Sequence, residues 1–335
     1  MTGRTDIKRA TELVQRAVAA GQIPGAALGL IRAGEAPVMR VWGLAEREPE
    51  RRELDLNAWF DLASLTKVLF TVPEMLRLVE DGLADLDDPL SLTLPELNPQ
   101  TELASRTLRQ LLSHTAGLPA SAPLHLWEST PDAIRQRLLS EPWELGENVY
   151  SDLGYLLLGV VIERLRGEAL SARPLTPGLT FTPPPELSVS TEQCEWRGRL
   201  LRGEVHDEKA SALGGPAGHA GLFGTLRGVL GAAQGLLDGS ALSSAAQAEL
   251  RAPHTPTRAL GWERRHPGWS GGSLCSPQTL GHTGFTGTGC WIDFGRGSAW
   301  ALLTNNVHPS RRRMSNLGPL RRAVGNALAA GWHID

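Results

Sequence analysis

The chain has 335 residues, of which 41% are hydrophobic and 21% charged, the balance of a globular protein with room for a sizeable core. Thirty-three basic residues are offset by thirty-six acidic ones, leaving a formal net charge of -3, which excludes a general nucleic-acid binder and leaves only local patches such as Arg311-Arg312-Arg313, read as a solvated turn. No run approaches the roughly eighteen apolar residues that span a bilayer, so no membrane partner is expected. The polar opening Met1–Lys8 lacks the apolar core of a secretory signal, so the expected location is cytoplasmic unless the true start lies upstream.

Residues 6–20 carry Ile7, Leu13, Val14, Ala17 and Val18 at helical spacing. Gln22-Ile23-Pro24-Gly25 breaks that helix. Two apolar runs, 26–31 and 38–44, flank Ala33-Gly34-Glu35 and predict a hairpin. Trp59-Phe60-Asp61 reads as the end of another strand. From Ser64 the pattern turns helical, with helices predicted over 64–81, 107–113, 131–140, 152–166, 226–237 and 244–251. The Pro- and Gly-rich stretch 167–225 is expected to be irregular and packed on the surface, and 253–279 to be loop. Apolar runs at 288–294 and 298–304, joined by Gly295-Arg296-Gly297, predict a second hairpin, and a helix over 316–331 closes the chain. Cys194, Cys275 and Cys290 have neither metal-type nor redox-type spacing and are expected to be free buried thiols.

Strands at both ends and helices between them predict an α/β (α+β) fold. In it, an antiparallel sheet flanked by helices is built from both termini. The expected division is a sheet domain of 1–67 plus 276–335 and a mostly helical inserted domain of 68–275, with an active site at their interface.

Ser64-Leu65-Thr66-Lys67 places a hydroxyl and an amine three residues apart, on one face of a helix. A serine becomes nucleophilic when a neighbour takes its proton, and lysine can do so if burial and nearby positive charge lower its pKa. At a helix start, the serine also gains the helix dipole and a free N–H, which favour developing negative charge. Taken alone, the pattern is also that of an N-cap serine with a surface lysine. Tyr150-Ser151-Asp152 holds one of the two tyrosines, a phenol able to shuttle a proton if amines lie near. The plainer reading is a half-buried aromatic ahead of a capped helix. His282-Thr283-Gly284 precedes the run at 288–294. As an edge strand lining a cleft it would offer His282 and Thr283 to a substrate carboxylate or carbonyl, with Gly284 leaving room for a substrate backbone. The amide of Phe285 would then join that of Ser64 as an oxyanion donor; otherwise the segment is a glycine-rich turn with an exposed histidine.

In this order and spacing, the three segments resemble the serine penicillin-recognising family: class C β-lactamases, DD-peptidases and related esterases. That family carries S-x-x-K, then Y-x-N, then K-T-G or H-T-G. Further segments are similar to its class C-like branch: Ile23-Pro24-Gly25-Ala26-Ala27, the run Asp81 to Pro89, Leu111 to Leu118, and Ala217 to Thr225. The resemblance implies that Ser64 forms an acyl-enzyme, that Lys67 and Tyr150 move protons, and that the amides of Ser64 and Phe285 hold the oxyanion. It also implies that Asp152, His282, Thr283 and Gly284 bind substrate. Asp152 replaces the usual asparagine, and an acceptor-only carboxylate cannot donate to a substrate carbonyl. Carboxylesterase or DD-peptidase activity is therefore expected ahead of efficient β-lactam turnover.

Gly268-Trp269-Ser270-Gly271-Gly272 matches G-x-S-x-G and nominates Ser270, but that motif needs a strand before it and a helix after it, and Pro267 and Gly271-Gly272-Ser273 predict a loop. His206-Asp207 and His219 fit no standard metal spacing, and His114 reads as a structural hydrogen-bonder at a helix end. No metal or cofactor is expected. The substrate expected is a small ester, peptide or β-lactam-like molecule, cleaved by a serine hydrolase. The other reading is a catalytically silent protein that binds or senses a peptidoglycan-like ligand.

Overall fold

The computed structural model describes residues 4–98 and 101–331. Helix α1 (Arg4–Ala19) leads into the hairpin β1 (Gly25–Arg32) and β2 (Val38–Glu46), then β3 (Arg52–Glu53) and β4 (Phe60–Asp61). The helices α2 (Val72–Glu80), α3 (Leu90–Thr93), α4 (Leu108–Leu112), α5 (Leu124–Trp127), α6 (Pro131–Ser140) and α7 (Asp152–Arg166) follow. Next come β5 (Leu179–Thr180), β6 (Ser190–Cys194), β7 (Arg199–Arg202), α8 (Glu208–Ala212), β8 (Phe223–Gly224), α9 (Leu226–Asp238) and α10 (Ser244–Arg251). The chain closes with β9 (Glu263–Arg264), β10 (Thr279–Thr283), β11 (Gly289–Asp293), β12 (Ser298–Thr304) and α11 (Gly318–Ala330). Several helices start where a capping side chain accepts an early N–H: Thr130, Ser151, Thr225 and Ser243 each bind the amide three residues on. Thr107 and Gln110 form a reciprocal capping box at α4.

Seven strands form one sheet in the order β3-β2-β1-β12-β11-β10-β9, antiparallel throughout and drawn from both ends of the chain, as expected. Strand β1 is buried on both faces because helices cover both. Ala27 and Ile31 join the larger core with α2, α7 and α9, whereas Ala26, Leu28 and Leu30 face α1 and α11. Its continuous apolar run is the pattern that two-sided burial requires. Each fully buried aliphatic side chain here contributes on the order of 2 kcal/mol. On the α1/α11 face, the cross-strand partners Trp291 and Trp300 stack at 3.8 Å, with ring planes 12° apart. Two elements from the expected helical insertion sit with the sheet instead. Strand β9 pairs with β10, and α9 lies on β1, where Leu226 and Leu230 occupy the space that a side chain at Gly29 would fill.

The predicted helix 64–81 is not uniform. Residues Lys67–Thr71 form one π-helical stretch, with the Val72 N–H donating to Lys67 O five residues back, before α2 begins. Pro73 follows immediately and has no N–H to give the α-ladder, so the wider turn falls where that ladder is already interrupted. The stretch 167–225 is likewise not all surface. Residues 217–222 are buried: Thr71 Oγ1 donates to Gly218 O at 2.6 Å, and the Leu222 N–H reaches Thr66 Oγ1 at 3.1 Å. A Cβ on Gly218 would meet Tyr155 O at 2.0 Å, so α7 and this turn touch backbone to backbone. Cys194, Cys275 and Cys290 are all free and buried, as expected. Among the described residues, no helix is long and apolar enough to cross a membrane.

Candidate active site

Strand β4 delivers Ser64 through a tight turn. The buried Asp61 carboxylate accepts the Ala63 N–H at 2.7 Å and the His206 N–H at 2.6 Å, and Ala63 takes a left-handed φ of 47°. A non-glycine residue in that region is strained, and the carboxylate clamp holds it there. Ser64 emerges half-buried at the start of the helical run that carries Lys67.

Lys67 is fully buried. Its Nζ lies 3.0 Å from Ser64 Oγ, 3.1 Å from His219 O and 2.9 Å from Asp152 Oδ1. These are three acceptors for the three protons of an ammonium. Burial alone would push the ammonium's pKa down, but Tyr150 and the Asp152 carboxylate outweigh it and hold Lys67 above the ordinary lysine value. The condition under which the lysine would give up its proton, a pKa lowered by burial and nearby positive charge, is therefore not met, because Tyr150 and then the Asp152 carboxylate act on the ammonium in the opposite sense.

Asp152 is the first residue of α7, and the Lys209 Nζ stands 3.3 Å from its other oxygen, Oδ2. Burial would raise its pKa; the charges of Lys67, His219 and Lys209 instead hold the carboxyl far below its usual range. Both oxygens are engaged by lysines, so Asp152 is presented to ammonium groups and not to a substrate amide.

Tyr150 packs on His114 with ring centroids 4.4 Å apart, and its hydroxyl is buried near the Lys67 ammonium. Lys67 Nζ and the Arg258 guanidinium carbon lie 5.0 and 5.1 Å from its ring centroid. His282 comes within 5.8 Å of the same ring. Its Nδ1 donates to Thr283 O at 3.0 Å, which leaves Nε2 as a buried acceptor with no partner. Burial, Arg258 and Lys67 hold His282 well below the ordinary histidine value, so it is neutral and offers no N–H to a substrate carboxylate. Thr283 stands half-buried beside it at the end of β10. His114 is also neutral, pushed down by burial first and by Arg258 and Lys67 next, and its Nδ1 accepts the Ser151 N–H at 3.0 Å. It is the structural hydrogen-bonder its position suggested.

The turn after β10 is fastened to the end of β4 and the residue after it. Thr286 Oγ1 donates to Asp61 O at 2.7 Å and Thr288 Oγ1 to Leu62 O at 3.1 Å. A Cβ on Gly284 would sit 2.2 Å from Thr288 Oγ1 and 2.4 Å from Leu62 O. The missing side chain thus admits this turn to residue 62, and the space is not left for a substrate backbone. Among the described residues neither the Ser64 N–H nor the Phe285 N–H has an acceptor. The Phe285 ring is half exposed, with His206 and Arg311 each 5.6 Å from it. Arg311, expected in a solvated turn, is bound to Glu192 at 2.8 Å.

Ser270 lies elsewhere, in the loop between β9 and β10. Its Oγ donates to Glu263 Oε2 at 3.1 Å and accepts from Trp291 Nε1 at 3.2 Å, while His266 reaches the other Glu263 oxygen at 2.9 Å. Among the described residues no histidine touches the hydroxyl, and neither strand nor helix directly flanks it. Asp152, Asp207 and His219 place donor atoms within 4.8 Å of one another, a cluster the linear spacing did not show. Two further site residues escaped the sequence reading, Lys209 and Arg258. Lysine numbers held a signal for the first: the chain has three lysines against thirty arginines, and two of the three, Lys67 and Lys209, meet on Asp152. Arg258, one arginine among thirty, had none.

A model described as Beta-lactamase matches residues 10–322. The chain is 31% identical to an N-acetylmuramyl-L-alanine amidase of Bacillus subtilis (strain 168), over 90% of this chain and 81% of that one. It is 28% identical to a putative D-alanyl-D-alanine carboxypeptidase of Salmonella agona (strain SL483), covering 96% and 88%. Among solved structures, a class C beta-lactamase superposes with a TM-score of 0.77 at 17% identity, covering 98% and 97% of the two chains.

Proposed function

The chain belongs to the Beta-lactamase family, and from that premise we propose that it is a serine hydrolase that cleaves a carboxylic amide or ester through an acyl-enzyme on Ser64. The observation that carries this is the 3.0 Å contact from Lys67 Nζ to Ser64 Oγ, made by a fully buried lysine. A saturated ammonium has no lone pair to receive the serine proton. In this reading the Lys67 ammonium stabilises the developing alkoxide, and Tyr150 carries the proton from Ser64 Oγ to the leaving group, the role the resemblance implies for it. Oγ bonds to the substrate carbonyl carbon, and the carbonyl oxygen, now an anion, lies between the amides of Ser64 and Phe285. Collapse breaks the bond to the leaving group, which receives the proton from Tyr150. Water then attacks the acyl ester, gives its proton along the same path, and frees Ser64. The two curated relatives are named for an amidase and a carboxypeptidase, and this supports amides among the substrates. The test is a fluorophosphonate reagent followed by peptide mapping. A label on the Ser64 peptide, lost in Ser64→Ala, is the expected result; a label on another serine, or none on an active protein, overturns it.

Arg258 bears on the substrate's form. Among the described residues no carboxylate pairs with it, and with Lys67 and Lys209 set against Asp152 and Asp207 it is the uncompensated charge beside Tyr150. A leaving group bearing a carboxylate would be received there. The 3-carboxyphenyl ester of butyric acid is expected to outrun phenyl butyrate by about 10- to 100-fold in kcat/KM, the worth of one charged hydrogen bond. In Arg258→Ala that ratio should collapse towards one, and a ratio unchanged by the substitution would remove Arg258 from substrate selection.

A further inference from the structure

Lys67 and Lys209 belong to one closed ring of contacts. From Lys67 Nζ it runs to Asp152 Oδ1 at 2.9 Å, and from Asp152 Oδ2 to Lys209 Nζ at 3.3 Å. Lys209 Nζ reaches Asp207 Oδ2 at 3.3 Å, and Asp207 Oδ1 meets His219 Nε2 at 2.8 Å. The backbone closes the circuit, since His219 O accepts from Lys67 at 3.1 Å. Asp207 Oδ1 also caps α8 through the Ala210 N–H at 2.9 Å, which fixes the ring to the chain. Around the ring, two ammonium groups face two carboxylates. The donor atoms of Asp152, Asp207 and His219 lie within 4.8 Å of one another, and the Lys209 ammonium is the cation set against both carboxylates.

We propose that Lys209 is a positioning residue for the reaction: it is the built-in counter-ion that makes an aspartate tolerable at position 152 and thereby holds Lys67 against Ser64. The proposal rests on Ser64 being the nucleophile. Without Lys209, two buried carboxylates would share Lys67, and Asp152 would draw the ammonium towards itself and away from the serine. Asp152 and Lys209 therefore act as a unit, and removing both leaves the net charge of the ring unchanged. The charged and titratable groups around Lys209 are Asp207 and Glu208 at the start of α8, Asp152 and Lys67 behind it, His219, and His125 on α5.

The experiment compares kcat and KM for p-nitrophenyl butyrate across pH in the wild type, Lys209→Met, Asp152→Asn/Lys209→Met and Ser64→Ala. Lys209→Met is expected to lower kcat at least about thirtyfold, with a smaller change in KM. The extra negative charge makes the group that must lose its proton hold it more tightly, so the acidic limb of the profile moves to higher pH. The double variant is expected to regain at least about tenfold over Lys209→Met and to return the limb towards its original place. Lys209→Met at wild-type rate with an unmoved profile overturns the proposal, as does a double variant that is unfolded or no faster than the single one. Activity surviving in Ser64→Ala overturns the nucleophile and this proposal together; activity lost there but kept in Lys209→Met overturns this proposal alone.

Discussion

Replacing Ser64 with alanine is expected to lower kcat/KM for p-nitrophenyl butyrate at least about a hundredfold, while Ser270→Ala stays within about threefold of wild type. The contrast follows from what each hydroxyl touches. Ser64 Oγ has a buried ammonium 3.0 Å away and a backbone N–H without an acceptor at its own residue. Ser270 Oγ is spent between Glu263 and the Trp291 indole, and its neighbour Trp291 is wholly buried. Losing that hydroxyl should cost about 1 kcal/mol of stability, read as a lower Tm, and leave the rate alone. Both rates measured side by side settle which serine is the nucleophile. Equal rates in Ser64→Ala and wild type would refute the assignment, and a selective loss in Ser270→Ala would transfer it.

Both hairpins and most helices were legible because each carries its own local signal. Cap residues mark the starts of α6, α7, α9 and α10, and β11 and β12 flank a glycine turn. The Ser64–Lys67 contact was legible for the same reason, since the two residues are one helical turn apart. What stayed hidden depends on contacts between distant segments. Lys209 is 57 positions from Asp152 and 142 from Lys67 in the chain, and nothing local to Glu208–Ala212 marks it. The burial of residues 217–222 is hidden for the same reason, because proline and glycine mark a surface loop as readily as a buried turn. Here Gly218 allows backbone contact with α7. The sign of the Lys67 shift is likewise not legible locally, because it is set by Tyr150 and Asp152, more than eighty positions away in the chain.

Lys67→Met should cost about two to four orders of magnitude in kcat/KM, the range for a positioned acid–base or charge-stabilising group, without a matching loss of stability. Methionine fills the buried volume with a flexible apolar chain and relieves the cost of desolvating an ammonium. Asp152 keeps Lys209 as its partner. Lys67→Arg should fare little better in rate, because a planar fork cannot point one donor each at Ser64 Oγ, His219 O and Asp152 Oδ1 as a tetrahedral nitrogen does. Acid titration separates charge from packing. Asp152 has a depressed pKa in the folded protein, so the stability it contributes is present above the ordinary carboxylate value and is lost as pH falls towards the folded one. Lys67 is the foremost charge in that depression, so its removal brings the folded value back towards the ordinary one. The wild type should therefore lose more Tm than Lys67→Met between about pH 6 and about pH 3. Lys67 itself has a raised pKa, so its own contribution is lost only in alkali, as pH rises through its folded value. Parallel Tm curves for the two proteins in acid would mean that Lys67 does not carry the Asp152 charge. A Lys67→Met protein with near-normal turnover would mean that the ammonium beside Ser64 is dispensable for the chemistry.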